Sequence, residues 1–235
     1  IVASQRKLSA VFFFFIRIYI RMQLFSFYIR SGSFLVCFDN VRKIVLLMKI
    51  IVIFSPLAAE PGVNFRVVRF ATQLGEPDVI LLPGTKDVAA DYDTLCLAGM
   101  ADAILARVAA GCWVVGICGG LHMLAQRLLD SSHCKYPFSE KVMMGLLRLD
   151  VCYGSPAVFS RLRSVSAPGG FLLRGFETHS GVCRGEEPVL FRRVDGSPIG
   201  YGHGRIWGTY LHRVFDNTDF RRYFIETVRE CRASL

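Results

Sequence analysis

From Ile50 onward the hydrophobic residues come in short blocks separated by glycine and proline turns. Val79-Ile80-Leu81-Leu82 follows Pro77-Asp78 and precedes Pro83-Gly84-Thr85-Lys86-Asp87. A four-residue run with no polar position is the pattern of a strand that a parallel sheet buries on both faces. Helix formers follow, broken near Gly99 and resumed from Met100 to Ala110, with Gly111 as the stop. Trp113 to Ile117 is a second β-branched run. It passes through Cys118-Gly119-Gly120 into a helical spacing of Leu121, Leu124, Ala125 and Leu128. This strand–loop–helix alternation predicts a doubly wound, mostly parallel sheet whose crevice lies at the carboxyl ends of the strands. The loops after Leu82 and after Ile117 are then its walls.

On either side of this stretch the pattern is looser. Upstream, Ile50 to Phe54 and Val63 to Phe70 read as strands around the turn Glu60-Pro61-Gly62. Beyond Asp130 the runs at Gly145 to Val151, Leu162 to Val165 and Phe171 to Phe176 predict short, mainly antiparallel strands. Arg205 to His212 reads as a strand ending in a histidine. Asn217 or Thr218 caps a last helix with Phe220, Tyr223, Phe224, Thr227 and Val228 on one face.

Composition changes the picture at the N-terminus. Residues 1–49 hold eight of the nineteen Phe, one glycine (Gly32) and no proline, and eight Lys/Arg against one Asp. That segment carries +7 of the net +9. Twenty Lys/Arg against eighteen Asp/Glu leave the remainder at +2, which gives no electrostatic case for nucleic acid. Val11 to Ile29 is apolar, but Arg17 and Arg21 sit inside it, each costing roughly 2.5–3.5 kcal/mol near a bilayer centre. An interfacial helix, a membrane anchor and translated sequence foreign to the domain are the three readings. The abrupt compositional break favours the last, with residues 1–48 unassigned and a domain over 49–235. Eight cysteines with no C-x-x-C pair argue against a zinc ribbon or a disulfide framework and point to a reducing, cytoplasmic setting.

The chemistry begins at Cys118. Glycines on both sides let the chain turn sharply between strand and helix, as in a nucleophile elbow, and the following helix aims its first amides at the sulfur. A cysteine nucleophile also needs a base that returns the proton. His122, four residues on along the helix, and His212, at a strand end, both qualify on spacing.

Four segments, in order, carry a resemblance: Asp78 to Asp87, Gly116 to Gly120, Gly175-Phe176-Glu177-Thr178-His179-Ser180-Gly181, and Trp207-Gly208-Thr209-Tyr210-Leu211-His212. Together they resemble the glutamine amidotransferase domain of the cobyric acid synthases of cobalamin biosynthesis, over about Pro56 to Arg232. The resemblance implies a class I amidotransferase-like fold: flavodoxin-like, mostly parallel, helices on both faces, some added antiparallel strands. It implies Cys118 as nucleophile on glutamine, His212 as base and acid, and the amides of Gly84 and Gly119 as oxyanion hole. It places His122 where relatives carry a glutamine-binding Gln, and Val214 where many class members carry a Glu that orients the histidine. Glu177 belongs to a family marker of structural or substrate-shaping role. The domain itself implies no cofactor and no metal. ATP and Mg belong to the synthetase half, and these 235 residues hold no G-x-x-x-x-G-K-[ST] loop to bind a nucleotide. The partners implied are glutamine and an ATP-dependent corrinoid synthetase, with no nucleic acid and no membrane. A catalytically impaired fragment is the alternative.

Overall fold

The computed structural model describes residues 54–233. The readings made for residues 1–48 and for a strand from Ile50 lie outside them, except that residues 54–58 are helical, so Phe54 is not the strand end expected. Residues 63–70 belong to no regular element, contrary to the strand expected there; Phe65 and Val68 lean on the core singly instead of pairing with a sheet.

Strand β1 (Val79–Leu82) is followed by helices α1 (Val88–Leu97) and α2 (Met100–Ala109), then β2 (Trp113–Ile117) and α3 (Gly119–Leu124). Asp87 caps α1 by accepting the Ala90 amide at 3.2 Å. Gly99, at φ 64°, makes the left-handed break between the two helices. Next come β3 (Arg127–Leu129), β4 (Glu140–Val142), β5 (Leu149–Cys152), β6 (Val158–Ser166), β7 (Leu172–His179) and β8 (Val182–Gly185). Strands β9 (Val189–Arg193), β10 (Pro198–His203) and β11 (Ile206–Thr209) lead to α4 (Thr218–Ala233).

These strands form two sheets. The larger runs β1-β2-β11-β10-β9-β6-β7, and the smaller β4-β3-β5-β8. In the larger sheet β1, β2 and β11 are parallel, whereas the pairings from β11 through to β7 are antiparallel. The doubly wound part is thus the end that carries the nucleophile strand, and the added antiparallel strands are more extensive than the sequence pattern suggested.

Helices cover both faces. Trp113 and Trp207 meet Phe224 of α4 edge-on at 5.8 and 5.6 Å. Side chains alternate along a strand, so Gly116 and Gly208, paired in register, point the other way, towards α3. Burial of Phe191, Trp207, Phe215, Phe220 and Phe224 around one contact set fastens α4. Asn217 locks its start: its amide donates to the carbonyls of Arg174, Arg213 and Val214, and its oxygen accepts the Arg174 amide at 2.9 Å.

The helix after Cys118 is shorter than its apolar spacing implied. Ala125 is extended (φ −64°, ψ 171°), and Gln126 donates its amide to the Leu149 carbonyl at 2.8 Å. Leu128 therefore sits on β3 beside β5, buried in the second sheet. A buried apolar residue satisfies either period, and strand pairing decided this one.

The tightest packing is at α3. A Cβ on Gly120 would lie inside contact distance of the Leu82 carbonyl oxygen and 2.7 Å from its carbon, while one on Gly116 would lie 2.5 Å from the Gly120 carbonyl carbon. Backbone cannot yield there. Gly120→Ala is expected to lower unfolding free energy by about 3 kcal/mol or more, read from a urea titration. Gly145→Ala, with open space but a φ of 70°, should cost about 1 kcal/mol.

Candidate active site

Strand β2 is buried from Val114 to Ile117, so the chain leaving it has little freedom. The Cys118 amide donates to the Thr209 carbonyl on the neighbouring parallel strand at 2.9 Å. The next residues must turn at once to bring Gly120 against Leu82. Cys118 consequently takes φ 53°, ψ −107°, one of three positive φ values at non-glycine residues among those described. Such a conformation costs on the order of 1–3 kcal/mol and persists only where its surroundings enforce it. Gly119 lies against the loop after β1: a Cβ there would come 2.7 Å from Thr85 Cγ2 and 2.8 Å from its nitrogen.

Gly84, in that same loop, gives the site its geometry. A Cβ built on it would be 3.4 Å from His212 Cε1 and 3.5 Å from Cys118 Cβ. The thiol-bearing carbon, the imidazole edge and Gly84 therefore surround one point. His212 arrives there three residues past β11. Its amide donates to the Phe176 carbonyl at 2.8 Å, and its ring lies parallel to the Phe176 ring, 4.8 Å between centroids and 6° between planes. Gly175 permits this approach, since a Cβ would strike the His212 carbonyl. Cys118 Sγ donates to the Thr178 carbonyl at 3.2 Å. One strand, β7, thus touches both the cysteine and the histidine. Val214, in the turn after His212, is buried and apolar and offers the imidazole no carboxylate.

Of the predicted residues, Cys118, Gly84, Gly119 and His212 come together. His122 does not face the crevice as an open donor. It is buried, with Nδ1 3.1 Å from the Tyr153 hydroxyl and Nε2 2.8 Å from the Tyr210 hydroxyl. Both ring nitrogens are occupied, so holding a substrate would require displacing a tyrosine. Burial, reinforced by the charges of His179 and Lys135, depresses its pKa to about 3. Burial likewise pushes both tyrosines well above the ordinary phenol range, so the trio stays neutral at pH 7.

Glu177 is similarly committed. Arg193 grips both carboxylate oxygens, Nε at 3.2 Å and Nη2 closer, and His179 Nε2 lies 3.5 Å away. Alternation along β7 turns Glu177 to the face opposite Phe176. Its place is to brace the strand that carries Phe176 and Thr178.

Sequence reasoning missed Phe176, the Thr178 carbonyl and the two tyrosines. A backbone carbonyl has no residue signature, and the tyrosines reach His122 from just past the ends of β5 and β11. None of the described cysteines is in a disulfide, and the described residues hold no group of three or more metal-ligating side chains.

The His122 environment has a measurable consequence. The unfolded state protonates this imidazole below its ordinary pKa of 6.5, whereas the folded state does so near 3. Between those values the unfolded chain binds the extra proton, so stability falls as pH falls, by up to about 1.4 kcal/mol per pH unit from this group. His122→Gln should flatten the acid limb of stability against pH between 6.5 and 3, measured by urea unfolding.

With this geometry in place, comparison with known proteins is informative. The CobB/CobQ-like glutamine amidotransferase domain matches residues 48–220. The cobyric acid synthase of Microcystis aeruginosa is 34% identical over 77% of this chain and 38% of its own length. That of Synechocystis sp. is 32% identical over 83% of this chain and 41% of its own. The adenosylcobalamin biosynthesis bifunctional protein CobDQ of Leptospira interrogans is 33% identical over 74% of this chain and 21% of its own. The chain thus spans about two fifths, or less, of these relatives. A crystal structure of a glutamine amidotransferase superposes with a TM-score of 0.57 at 20% identity, covering 77% of this chain and 93% of that one, which establishes the shared fold. With the match running through both walls of the crevice and the strand that leads to His212, the chain belongs to the CobB/CobQ-like glutamine amidotransferase domain family.

Proposed function

We propose that this domain hydrolyses glutamine with a Cys118–His212 dyad. The ammonia would feed ATP-dependent amidation of corrinoid carboxylates in cobalamin biosynthesis. The observation that carries the reading is the convergence of Cys118 Cβ, His212 Cε1 and Gly84 on one point beside the elbow. The cobyric acid synthases among its relatives support the pathway.

In this reaction Sγ attacks the side-chain carboxamide carbon while His212 takes the thiol proton. The tetrahedral oxyanion forms facing the amides of Gly84 and Gly119; losing one such donor typically costs about 2.7–4 kcal/mol of transition-state stabilisation. His212 returns the proton to the departing nitrogen, ammonia leaves, and a γ-glutamyl thioester remains. Water, deprotonated by His212, adds to the thioester and expels the thiolate, which recovers a proton as glutamate departs. Stacking on Phe176 and the bond from its own amide fix the plane and position of the imidazole, tasks a third catalytic residue performs elsewhere.

The relatives' extra length is where a synthetase half belongs, and ATP and Mg with it. Residues 49–235 are the amidotransferase domain in this reading, residues 1–48 stay unassigned, and the setting is cytoplasmic. Among the described residues no helix is long and apolar enough to cross a membrane.

Ammonia release from glutamine tests the proposal. Cys118→Ala should reduce it at least about a thousandfold, and His212→Gln by about a hundredfold or more. Cys118→Ala protein releasing ammonia at the wild-type rate would remove the proposal.

A further inference from the structure

Glutamine hydrolysis as proposed above uses one end of the substrate. The other end is an α-amino acid, and its carboxylate needs a cation. The loop that follows β3 holds one in a prepared setting. Asp130, fully buried, accepts the backbone amides of Cys134, Lys135 and Tyr136 at 3.0, 2.8 and 2.8 Å, and its Oδ1 also receives the Cys134 thiol at 3.2 Å. These bonds hold the carboxylate ionised, its pKa drawn down to about 2 against the upward push of burial. They also fix the backbone from which Lys135 projects.

The Lys135 ammonium lies over the ring of Tyr153 at 4.7 Å and that of Tyr136 at 5.3 Å, and donates to Ser180 Oγ at 3.2 Å. Its partners are thus two ring faces and a hydroxyl. No carboxylate of the described residues lies within 4.0 Å of it. Asp130, the nearest in sequence, is spent on amides. Burial lowers the pKa of Lys135, and the charges of Asp87 and Cys118 are among those that reach it in opposition.

Distance fits the substrate. Cys118 Sγ is bonded at Thr178 and Lys135 Nζ at Ser180, two residues further along the same chain. Two residues of chain span at most about 7 Å. Four carbon–carbon bonds of about 1.5 Å separate the carboxamide carbon of glutamine from its α-carboxylate carbon, roughly 5 Å when extended.

We infer that Lys135, held by the Asp130 loop over Tyr136 and Tyr153, receives the α-carboxylate of the substrate and sets the preference for an α-amino acid over a simple amide. This rests on the glutaminase reading. It assigns the site a second recognition point, in the loop that follows β3.

Two electrophiles test it on the full chain. The diazoketone analogue of glutamine, diazo-oxo-norleucine, carries the α-amino acid; the thiol adds to its terminal carbon, which takes the thiol proton as dinitrogen leaves. Iodoacetamide lacks the carboxylate and alkylates the thiol with loss of iodide and a proton. The readout is the ratio of the two second-order rates of Cys118 modification, followed by mass spectrometry. Lys135→Met should lower that ratio about tenfold or more, the usual size of a charge-assisted hydrogen bond, and Lys135→Arg should keep it within about threefold of wild type. An unchanged ratio in Lys135→Met, or equal slowing of both reagents as expected if Lys135 only stabilises the thiolate, would overturn the inference. Failure of the glutaminase reading looks different: wild-type Cys118 is then modified by iodoacetamide and ignored by the diazoketone.

Discussion

The backbone-to-backbone contact of α3 with the parallel strands is the constraint on which the rest depends. Gly116, Gly120 and Gly208 let the helix settle on β1, β2 and β11 at distances no side chain would allow. A helix that close cannot be joined to the end of β2 by ordinary backbone, so the single residue between them is bent into positive φ. That residue is Cys118. Its position beside Gly84 and its fixed direction follow from packing that has no chemistry in it.

The chain passes between the two sheets four times, and two of these crossings lie at the elbow. One passes through α3 from β2 to β3, and the other through the turn from β7 to β8. Both crossings run beside the thiol: the first begins with Cys118 itself, and the second begins just past the Thr178 carbonyl that accepts its hydrogen bond. His122, Tyr153, Tyr210 and Cys183 fill the space between the crossings with a neutral hydrogen-bonded cluster. Glu177 and Arg193 brace the outer strand. The candidate site is therefore the seam where two sheets are stitched together, which accounts for the many buried polar groups nearby.

The parallel core and the elbow were legible in the sequence because local patterns state them directly: a four-residue apolar run and a glycine-flanked cysteine between a β-branched run and a helical spacing. The second sheet was not. Its strands are three or four residues long for the most part, and Leu128 satisfied a helical spacing as well as a strand position. The site split along the same line. Cys118 was readable at a strand end; His212 lies beyond one, since the strand expected to run to it stops at Thr209, and resemblance was needed to prefer it over His122. The occupation of both His122 nitrogens depends on Tyr153 and Tyr210, which are distant in sequence and each follow the last residue of a strand. Phe176 and Thr178 act through a ring face and a carbonyl, neither of which a sequence pattern announces.

The sheet order carries a consequence for folding. Strand β2 has β1 on one side and β11 on the other, and the β11 partner of Gly116 is Gly208. A nucleophile strand whose second neighbour comes so late has a high contact order, and such pairings form slowly because a long loop must close first. Until β11 docks, the Cys118 amide lacks its Thr209 acceptor and Gly116 lacks Gly208 beside it. His212 lies three residues beyond Thr209. The strand that completes the elbow therefore delivers the histidine in the same step, and during folding the cysteine gains its bent geometry and its imidazole neighbour together.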